Sequence, residues 1–203
     1  MTTGRNTLVC GRTQSGKTYW TIRQIQHAKR LVVYSTKREE TGYPGAYFDA
    51  MDGESEKFLQ VWGWYERQGK PYRLVYRPAD IFDPREFERL CRLAYAAGDI
   101  AVVCEEIMTY CKAGQIGPAF KTLLTAGATR GVNCYLLTQR PFNIPREVTS
   151  QSRRAILFAT HEKTDCDYVK ATFGENAANA MASLQQYQYV DWDESGKVEV
   201  GKA

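Results

Sequence analysis

The stretch GRTQSGKT, residues 11–18, is the strongest indication of the fold of this chain. It fits the pattern G-x-x-x-x-G-K-[S/T] at every position, an apolar run precedes it, and a segment with helical periodicity follows it. This order of strand, glycine-rich turn and helix is typical of loops that bind the phosphates of nucleoside triphosphates. The glycines let successive N–H groups face the phosphates, and the helix N-terminus adds partial positive charge. The stretch therefore predicts a nucleotide-binding α/β domain.

The positions of this loop have expected roles in binding ATP and Mg²⁺. Lys17 should reach the β- and γ-phosphates, and the hydroxyl of Thr18 should ligate Mg²⁺. The residues expected to contact the nucleotide are Gly11, Arg12, Thr13, Gln14, Ser15, Gly16, Lys17 and Thr18. The motif indicates which ligand is bound, but it does not indicate which reaction follows.

The rest of the chain alternates strand-like and helical segments. Short apolar runs lie at 7–10, 31–35, 72–76, 100–104, 134–138 and 155–160, and amphipathic segments separate many of them. This alternation predicts an α/β fold with a mostly parallel central sheet flanked by helices, because strands buried on both faces are near-continuous apolar runs. The segment 186–200 alternates in polarity around DESG and predicts a β-hairpin that finishes the sheet.

Length, composition and cysteine content are those of one ordinary domain. The chain has 203 residues, 43% hydrophobic and 25% charged, so we expect a single domain over residues 1–203.

No run approaches the ~18 apolar residues of a membrane span, and the N-terminus lacks a signal-peptide pattern, so we expect the protein in the cytoplasm of the cell that makes it. The net charge of +4 permits a nucleic-acid partner without requiring one. The six cysteines are interpreted as small buried hydrophobes in a reducing compartment.

Two adjacent carboxylates, Glu105 and Glu106, directly follow the apolar run IAVVC. Isolated buried carboxylates are costly and are usually paired or bound to a metal. A protein with a phosphate loop needs an acidic residue at the end of a second strand to hold Mg²⁺. We therefore assign Glu105 to the metal shell, through a water, and Glu106 to polarising the attacking water. One alternative exchanges the two roles, and another is a solvated strand end with ordinary surface acids.

A catalytic glutamate changes the expected reaction class. A small-molecule kinase transfers the γ-phosphoryl group to a bound acceptor and need not activate water, whereas an ATPase must activate water. The two adjacent glutamates therefore favour ATP hydrolysis coupled to mechanical work.

The next apolar strand ends in Thr138 and Gln139. If the sheet order permits, the amide of Gln139 lies beside the metal strand, close enough to hydrogen-bond a γ-phosphate or its water. The alternative is a polar residue where a strand leaves the core. Upstream, Arg130 stands at a helix end before Gly131, where an arginine is also favourable as a cap for the helix dipole.

Three segments together carry a family resemblance: GRTQSGKT, IAVVCEE and TRGVNCYLLTQRPFNIPREVTSQSRRAILF. They resemble the HerA/FtsK superfamily of ring-shaped DNA-translocating ATPases, in particular the small genome-packaging ATPases of membrane-containing icosahedral, tectivirus-like viruses. The resemblance extends from about residue 7 to about 192. It implies a RecA-like P-loop NTPase core, ATP hydrolysis and a homomeric ring, expected to be a hexamer.

The resemblance also implies roles for single residues. Gln139 would be the sensor glutamine, and Arg130 would be an arginine finger that reaches the nucleotide of the neighbouring subunit. Arg140, Arg153 and Arg154 are nearby competitors for the finger. Glu105 departs from the family pattern, which has an aspartate at the metal position.

The implied load is double-stranded DNA, moved into a viral capsid. The protein would act in the host cytoplasm and then at the virion vertex, with capsid vertex or viral membrane proteins as further candidate partners. Loops lining the pore of a ring motor grip the phosphate backbone, and the basic residues suited to this are Lys112, Arg140 and Arg146. The alternative is that they are solvated surface charges or interface pairs.

Besides a nucleotide-gated assembly factor that binds ATP but hydrolyses it negligibly, two other functions fit the same motifs. One is a P-loop ATPase that drives phage morphogenesis or protein export, although filamentous-phage proteins of that kind usually carry a membrane segment. The other is a small nucleotide kinase, which would need a lid and an acceptor pocket, and no arginine-rich lid is apparent.

Overall fold

The computed structural model describes residues 4–39, 41–112 and 114–203. Its strands are β1 Asn6–Cys10, β2 Arg30–Tyr34, β3 Ala46–Asp49, β4 Tyr72–Arg77, β5 Ala101–Cys104, β6 Asn133–Thr138, β7 Arg154–Phe158, β8 Gln188–Asp193 and β9 Val198–Lys202. Its α-helices are α1 Lys17–Ile25, α2 Ser55–Gln68, α3 Pro84–Ala97, α4 Pro118–Ala126, α5 Arg146–Ser150, α6 Lys163–Phe173 and α7 Glu175–Ala182.

One nine-stranded sheet organises these elements, in the order β3-β4-β2-β5-β6-β1-β7-β8-β9. The strands from β3 to β7 in this order are parallel, and β8 and β9 pair antiparallel as a hairpin at the edge. The predicted α/β class, the mostly parallel sheet and the C-terminal hairpin are therefore confirmed. Each predicted strand is present to within two residues at either end.

Alternate residues of the central strands pack into two separate cores on the two faces of the sheet. Leu8 and Cys10 belong to the larger core, with apolar residues of α2, α3, α4, α6 and α7. Val9 between them belongs to the smaller core, with Trp20 and Ile25 of α1. Both faces are covered, which explains why β1 and its neighbours are apolar at consecutive positions.

Some elements differ from the sequence expectation. β3 has no long apolar run, because it is an edge strand in which only Phe48 is buried. The amphipathic segment after the phosphate loop is helical only as far as Ile25, and the amphipathic segment after Pro118 forms α4 followed by a 3₁₀ turn at Gly127–Arg130. Such short edge strands and changes of helix type are weakly encoded in periodicity.

Five of the six cysteines are buried: Cys10, Cys91, Cys104, Cys111 and Cys134. Burial raises the pKa of these thiols, so they are held in the protonated form and behave as small apolar side chains. Within the described parts of the chain, no helix combines the length and the apolar character needed to cross a membrane.

Candidate nucleotide-binding site

The carboxyl ends of five parallel strands bring the predicted site residues to one edge of the sheet. In register, Cys10 at the end of β1 lies beside Thr138 of β6 and Leu157 of β7. The ends of β5 and β2 continue the row on the far side of β6. Ligands of open α/β sheets bind outside this edge, and the phosphate loop, the two glutamates and Gln139 all follow strands that end there.

The phosphate loop has a backbone suited to anions. Gln14 and Gly16 both have left-handed dihedral angles, with φ of 62° and 109°, on either side of Ser15. Such alternation turns successive N–H groups toward one concave side, which is the geometry of an anion-binding nest. α1 starts directly after Gly16, so its N-terminus points its partial positive charge at the same place.

Phe158, the last residue of β7, forms the floor under this loop and is 2% exposed. A Cβ atom placed on Gly11 would lie 2.6 Å from the Phe158 Cβ, and one on Gly16 would lie 3.2 Å from its ring. Only glycine lets the loop come this close to the ring. The two motif glycines are thus required by packing as well as by backbone conformation.

Lys17 is held inside the loop rather than extended into solvent. Its side chain is 7% exposed, and its ammonium donates to the carbonyl oxygens of Gly11 and Arg12. The Glu106 carboxylate lies 3.9 Å away. Burial lowers the pKa of Lys17, and the nearby Glu106 carboxylate opposes that shift.

Glu105 is fully buried, at 0% exposure, and is surrounded by donors. Its backbone N–H still pairs with Tyr34 of β2, so the residue continues the line of β5. The Ser35 hydroxyl donates to Oε2 at 2.9 Å, and the Tyr43 hydroxyl donates to Oε1 at 3.1 Å. Lys37 Nζ is 3.3 Å from Oε1. These donors satisfy a buried charge that would otherwise be very costly.

Glu106 turns away from Glu105 because the extended backbone, which still pairs with β2 at Glu105, ends at Glu106. Its φ of 46° and ψ of 53° are left-handed, and a 3₁₀ turn begins at the next residue. Its carboxylate faces Lys17, and its Oε2 is buried without a hydrogen-bond partner among the described residues. A left-handed non-glycine residue costs about 1–3 kcal/mol and is frequent at functional sites. The two adjacent acids thus have different surroundings, as two different roles require.

Gln139 lies next to Glu106, as the sheet order β5-β6-β1 allows. Burial raises the pKa of Glu106, while Lys17 and the Gln139 amide act to lower it. Gln139 is itself exposed, so its amide is accessible to a ligand at this edge. Lys17, Glu106 and Gln139 therefore form one group around the space beyond the phosphate loop.

The donor set at Thr18 and Glu105 fits Mg²⁺. A hydroxyl and a carboxylate are hard oxygen ligands of the kind that Mg²⁺ takes together with phosphates and water. Lys37 Nζ lies 3.3 Å from Thr18 Oγ1 and 3.3 Å from Glu105 Oε1. A cationic group thus already lies between the two predicted metal ligands, which indicates that the place is electrostatically suited to a cation.

Arg130 lies away from this group. It precedes β6, so it lies at the opposite end of that strand from Gln139. Its guanidinium donates to the carbonyl oxygens of Tyr95 at 2.7 Å and Ala96 at 2.9 Å, in the last turn of α3. Arg130 thus caps the C-terminus of α3, whereas its position in the sequence suggested a cap for the helix that directly precedes it. Its role as a finger toward a neighbouring subunit stays a prediction.

The competing arginines are engaged in ion pairs. Arg140 Nε is 3.1 Å from Asp165 Oδ2, Arg153 Nε is 3.6 Å from Glu194 Oε2, and Arg154 forms a bidentate pair with Asp191. Two of the three are thus fixed by hydrogen-bonded carboxylates, whereas the Arg153 pair is longer and exposed.

The residues predicted to contact DNA separate into two sets. Lys112 and Arg146 line one groove of about 900 Å³, between the segments after β5 and β6 and helix α6. The aromatic side chains of Phe142 and Tyr168 line the same groove. Arg140 does not line it, because its guanidinium is bound to Asp165 and Thr164. This groove therefore brings two basic side chains and two aromatic side chains together.

Sequence reasoning missed four residues of the site: Ser35, Lys37, Tyr43 and Phe158. The first three follow β2 and reach Glu105, about 60–70 positions later in the chain. Their position after β2 is the signal that could have found them, because residues that follow a parallel strand lie at the same edge of the sheet as the phosphate loop. Phe158 was read only as part of an apolar run.

Comparisons with known proteins find similarity to genome-packaging ATPases. No protein-family model matches it. It is 28% identical over 197 residues to DNA packaging ATPase P9 of Enterobacteria phage PRD1, covering 92% of this chain and 81% of that protein. Its fold matches the genome packaging NTPase B204 of Sulfolobus turreted icosahedral virus 2, in complex with ATP-gammaS, with a TM-score of 0.80, 21% identity, and coverage of 100% of this chain and 98% of that one.

A weaker likeness reaches other proteins with the same core. The N-terminal domain of zonular occludens toxin from Neisseria meningitidis matches with a TM-score of 0.54 at 12% identity, covering 99% of this chain and 94% of that chain. At this identity the likeness concerns the fold alone. The similarity to P9 in sequence and to B204 in fold confirms the resemblance to the tectivirus-like packaging ATPases that the motifs predicted.

Proposed function

We propose that this chain, a homologue of the tectivirus-like packaging ATPases, is the ATPase motor that moves a viral genome into a capsid. The observation that carries the proposal is the group of Lys17, Glu106 and Gln139 beside a phosphate loop, with Thr18 and Glu105 next to it. Its similarity to P9 along 92% of the chain supports the load, a viral genome.

ATP binding rests on the phosphate loop. The N–H groups around Gln14 and Gly16 and the N-terminus of α1 receive the phosphates, and Lys17 moves its ammonium from loop carbonyls to the β- and γ-phosphates. Thr18 and Glu105 hold Mg²⁺, which when bound neutralises phosphate charge during hydrolysis. The donors around Glu105 keep its carboxylate in place for this role.

Hydrolysis rests on Glu106. Its Oε2 has no hydrogen-bond partner among the described residues, and its Oε1 lies 3.9 Å from Lys17 Nζ, so the carboxylate is placed to accept a hydrogen bond from the attacking water and orient it. Gln139 lies beside it and is accessible to the γ-phosphate, so the amide can report whether that phosphate is present. Hydrogen bonds from Ser35 and Tyr43 hold the Glu105 carboxylate in place beside Thr18, whereas Glu106 has an oxygen without a partner among the described residues; this supports the metal for Glu105 and the water for Glu106.

The load is double-stranded DNA, gripped through its phosphate backbone without base-specific contacts. The groove with Lys112 and Arg146 is the proposed contact in each subunit of a homomeric ring, a hexamer in the HerA/FtsK pattern. Arg130 completes the neighbouring subunit's site in this arrangement. The protein acts in the host cell and then at the virion vertex, where capsid vertex or viral membrane proteins are the candidate docking partners.

Phosphate release by the purified protein tests the proposal. With Mg²⁺ and ATP and no added acceptor, inorganic phosphate should appear, and linear double-stranded DNA should raise the steady-state rate several-fold. The control is the same chain with Lys112→Ala and Arg146→Ala, which should keep the basal rate and lose most of the stimulation. A rate that needs an added small-molecule acceptor would indicate a kinase, and a basal rate indifferent to DNA would favour a morphogenesis or export ATPase.

A further inference from the structure

Lys37 is a charged residue of the site that the phosphate loop motif does not include. It follows β2 in the segment after Ser35, and its side chain is 42% exposed. Its Nζ donates to Thr18 Oγ1 and to Glu105 Oε1, both at 3.3 Å. These two oxygens come from separate parts of the sheet edge and are the two expected to hold Mg²⁺.

We propose that the Lys37 ammonium and the magnesium ion compete for the same place between Thr18 and Glu105, so that Lys37 sets the affinity of the site for the metal. This inference rests on the proposed function and concerns the regulation of that same site. Bringing a divalent ion to Thr18 and Glu105 while the ammonium stays within 3.3 Å of both oxygens would place like charges a few ångströms apart. The metal therefore enters only when the ammonium leaves.

The side chain of Lys37 can move its ammonium away from Thr18 and Glu105. Lysine carries a point charge on a flexible stem, and the partly exposed stem gives the ammonium a route to water. Glu105 keeps its other two donors, Ser35 at 2.9 Å and Tyr43 at 3.1 Å, when the ammonium moves.

The exchange compensates the buried charge of Glu105 in both arrangements. With the ammonium in place, Glu105 has a cation 3.3 Å away. With the metal in place, the ion would provide that charge, and the ammonium would lie in solvent. The consequence is a metal affinity lower than the oxygen ligands alone would give, and a site that keeps its geometry without the metal.

Direct titration of Mn²⁺, followed by electron paramagnetic resonance in the presence of ADP, tests this competition. ADP is used because it lacks the γ-phosphate, which Lys37 could also contact. Lys37→Met should lower the Mn²⁺ concentration for half-saturation about fivefold or more, whereas Lys37→Arg, which keeps the positive charge, should stay within about twofold of wild type. The matched control is Lys57→Met, since Lys57 pairs with Glu54 at 2.8 Å on the surface.

Thermal unfolding separates this role from a merely structural one. In EDTA, Lys37→Met should unfold at a lower temperature than wild type, because Glu105 has lost its cation. Mn²⁺ with ADP should remove that difference, whereas a structural defect would persist. Lys37→Gln keeps a hydrogen-bond donor without charge and replaces the Met variant if the latter does not fold.

The results distinguish a failure of the competition between Lys37 and the metal from a failure of the proposed function. If wild type binds Mn²⁺ and ADP but Lys37→Met binds Mn²⁺ equally or more weakly, the competition is wrong and the proposed function stands. If wild type does not bind Mn²⁺ with ADP at all, the metal site and the proposed function are both wrong.

Discussion

Phe158 offers a test of how the sheet supports the phosphate loop. Its side chain is 2% exposed, and its ring contacts the backbone where Gly11 and Gly16 lack a Cβ atom. Phe158→Leu removes several ring carbons from this contact while keeping the position apolar. From the lost apolar area and the small cavity left behind, we expect unfolding to become easier by about 1–2 kcal/mol.

The same substitution should also weaken nucleotide binding. The loop loses its floor under both glycines, so its N–H groups are held less firmly in the phosphate-binding geometry. We expect the Kd for ATP to rise about tenfold, which corresponds to about 1.4 kcal/mol. Urea unfolding followed by tryptophan fluorescence gives the first quantity, and isothermal titration calorimetry gives the second.

Phe173→Leu is the matched control. Phe173 is 5% exposed and packs on Trp192 in the larger core, on the opposite face of the sheet from Phe158. It should lose a similar amount of stability and keep the wild-type affinity for ATP. If the two variants lose stability equally and bind ATP equally well, Phe158 is ordinary core and the account of the loop floor is wrong.

Three further predictions follow from single contacts. The Tyr34 hydroxyl is buried without a partner among the described residues, so Tyr34→Phe should raise the free energy of unfolding by about 1 kcal/mol; a loss of stability in urea would contradict this. The pKa of Glu66 is lowered, because burial acts to raise it but the hydrogen bonds from Arg30 and Tyr72 outweigh burial. The stability that these bonds provide should be present above pH ~4.3 and fall as the pH drops below that value. The difference in urea midpoint between wild type and Glu66→Gln should therefore shrink in acid, and a difference that grows would contradict this. Lys112→Ala and Arg146→Ala should each weaken binding to any DNA sequence and reduce the salt slope by about 1, measured by fluorescence anisotropy; an effect on one sequence only would contradict a backbone contact.

The sequence predicts the sheet and the position of the site well, and the reasons are local. Strands buried on both faces are apolar at nearly every position, so β1, β5 and β6 are visible without a structure. The residue after each such strand lies at the carboxyl edge, which placed Glu105, Glu106 and Gln139 together. The phosphate loop added the remaining groups through a motif with fixed spacing.

The partners of these residues could not be predicted, because they depend on tertiary contacts. Lys37 and Tyr43 lie in a segment without periodicity, and their bonds to Glu105 cross more than 60 positions of the chain. Arg130 is adjacent to one helix end in sequence but caps another, since α3 ends beside the start of β6. The dihedral angles of Glu106 that separate it from Glu105 also have no sequence signal, since glutamate rarely adopts them.

The turnover of ATP by Glu106→Gln tests whether Glu106 activates the attacking water. The substitution keeps size and hydrogen bonding but removes the charge that orients the attacking water. With saturating Mg²⁺ and ATP, and with double-stranded DNA present, the account predicts that kcat falls at least about a hundredfold while the affinity for ATP stays near wild type. A Glu106→Gln protein that binds ATP and hydrolyses it at the wild-type rate would contradict the account.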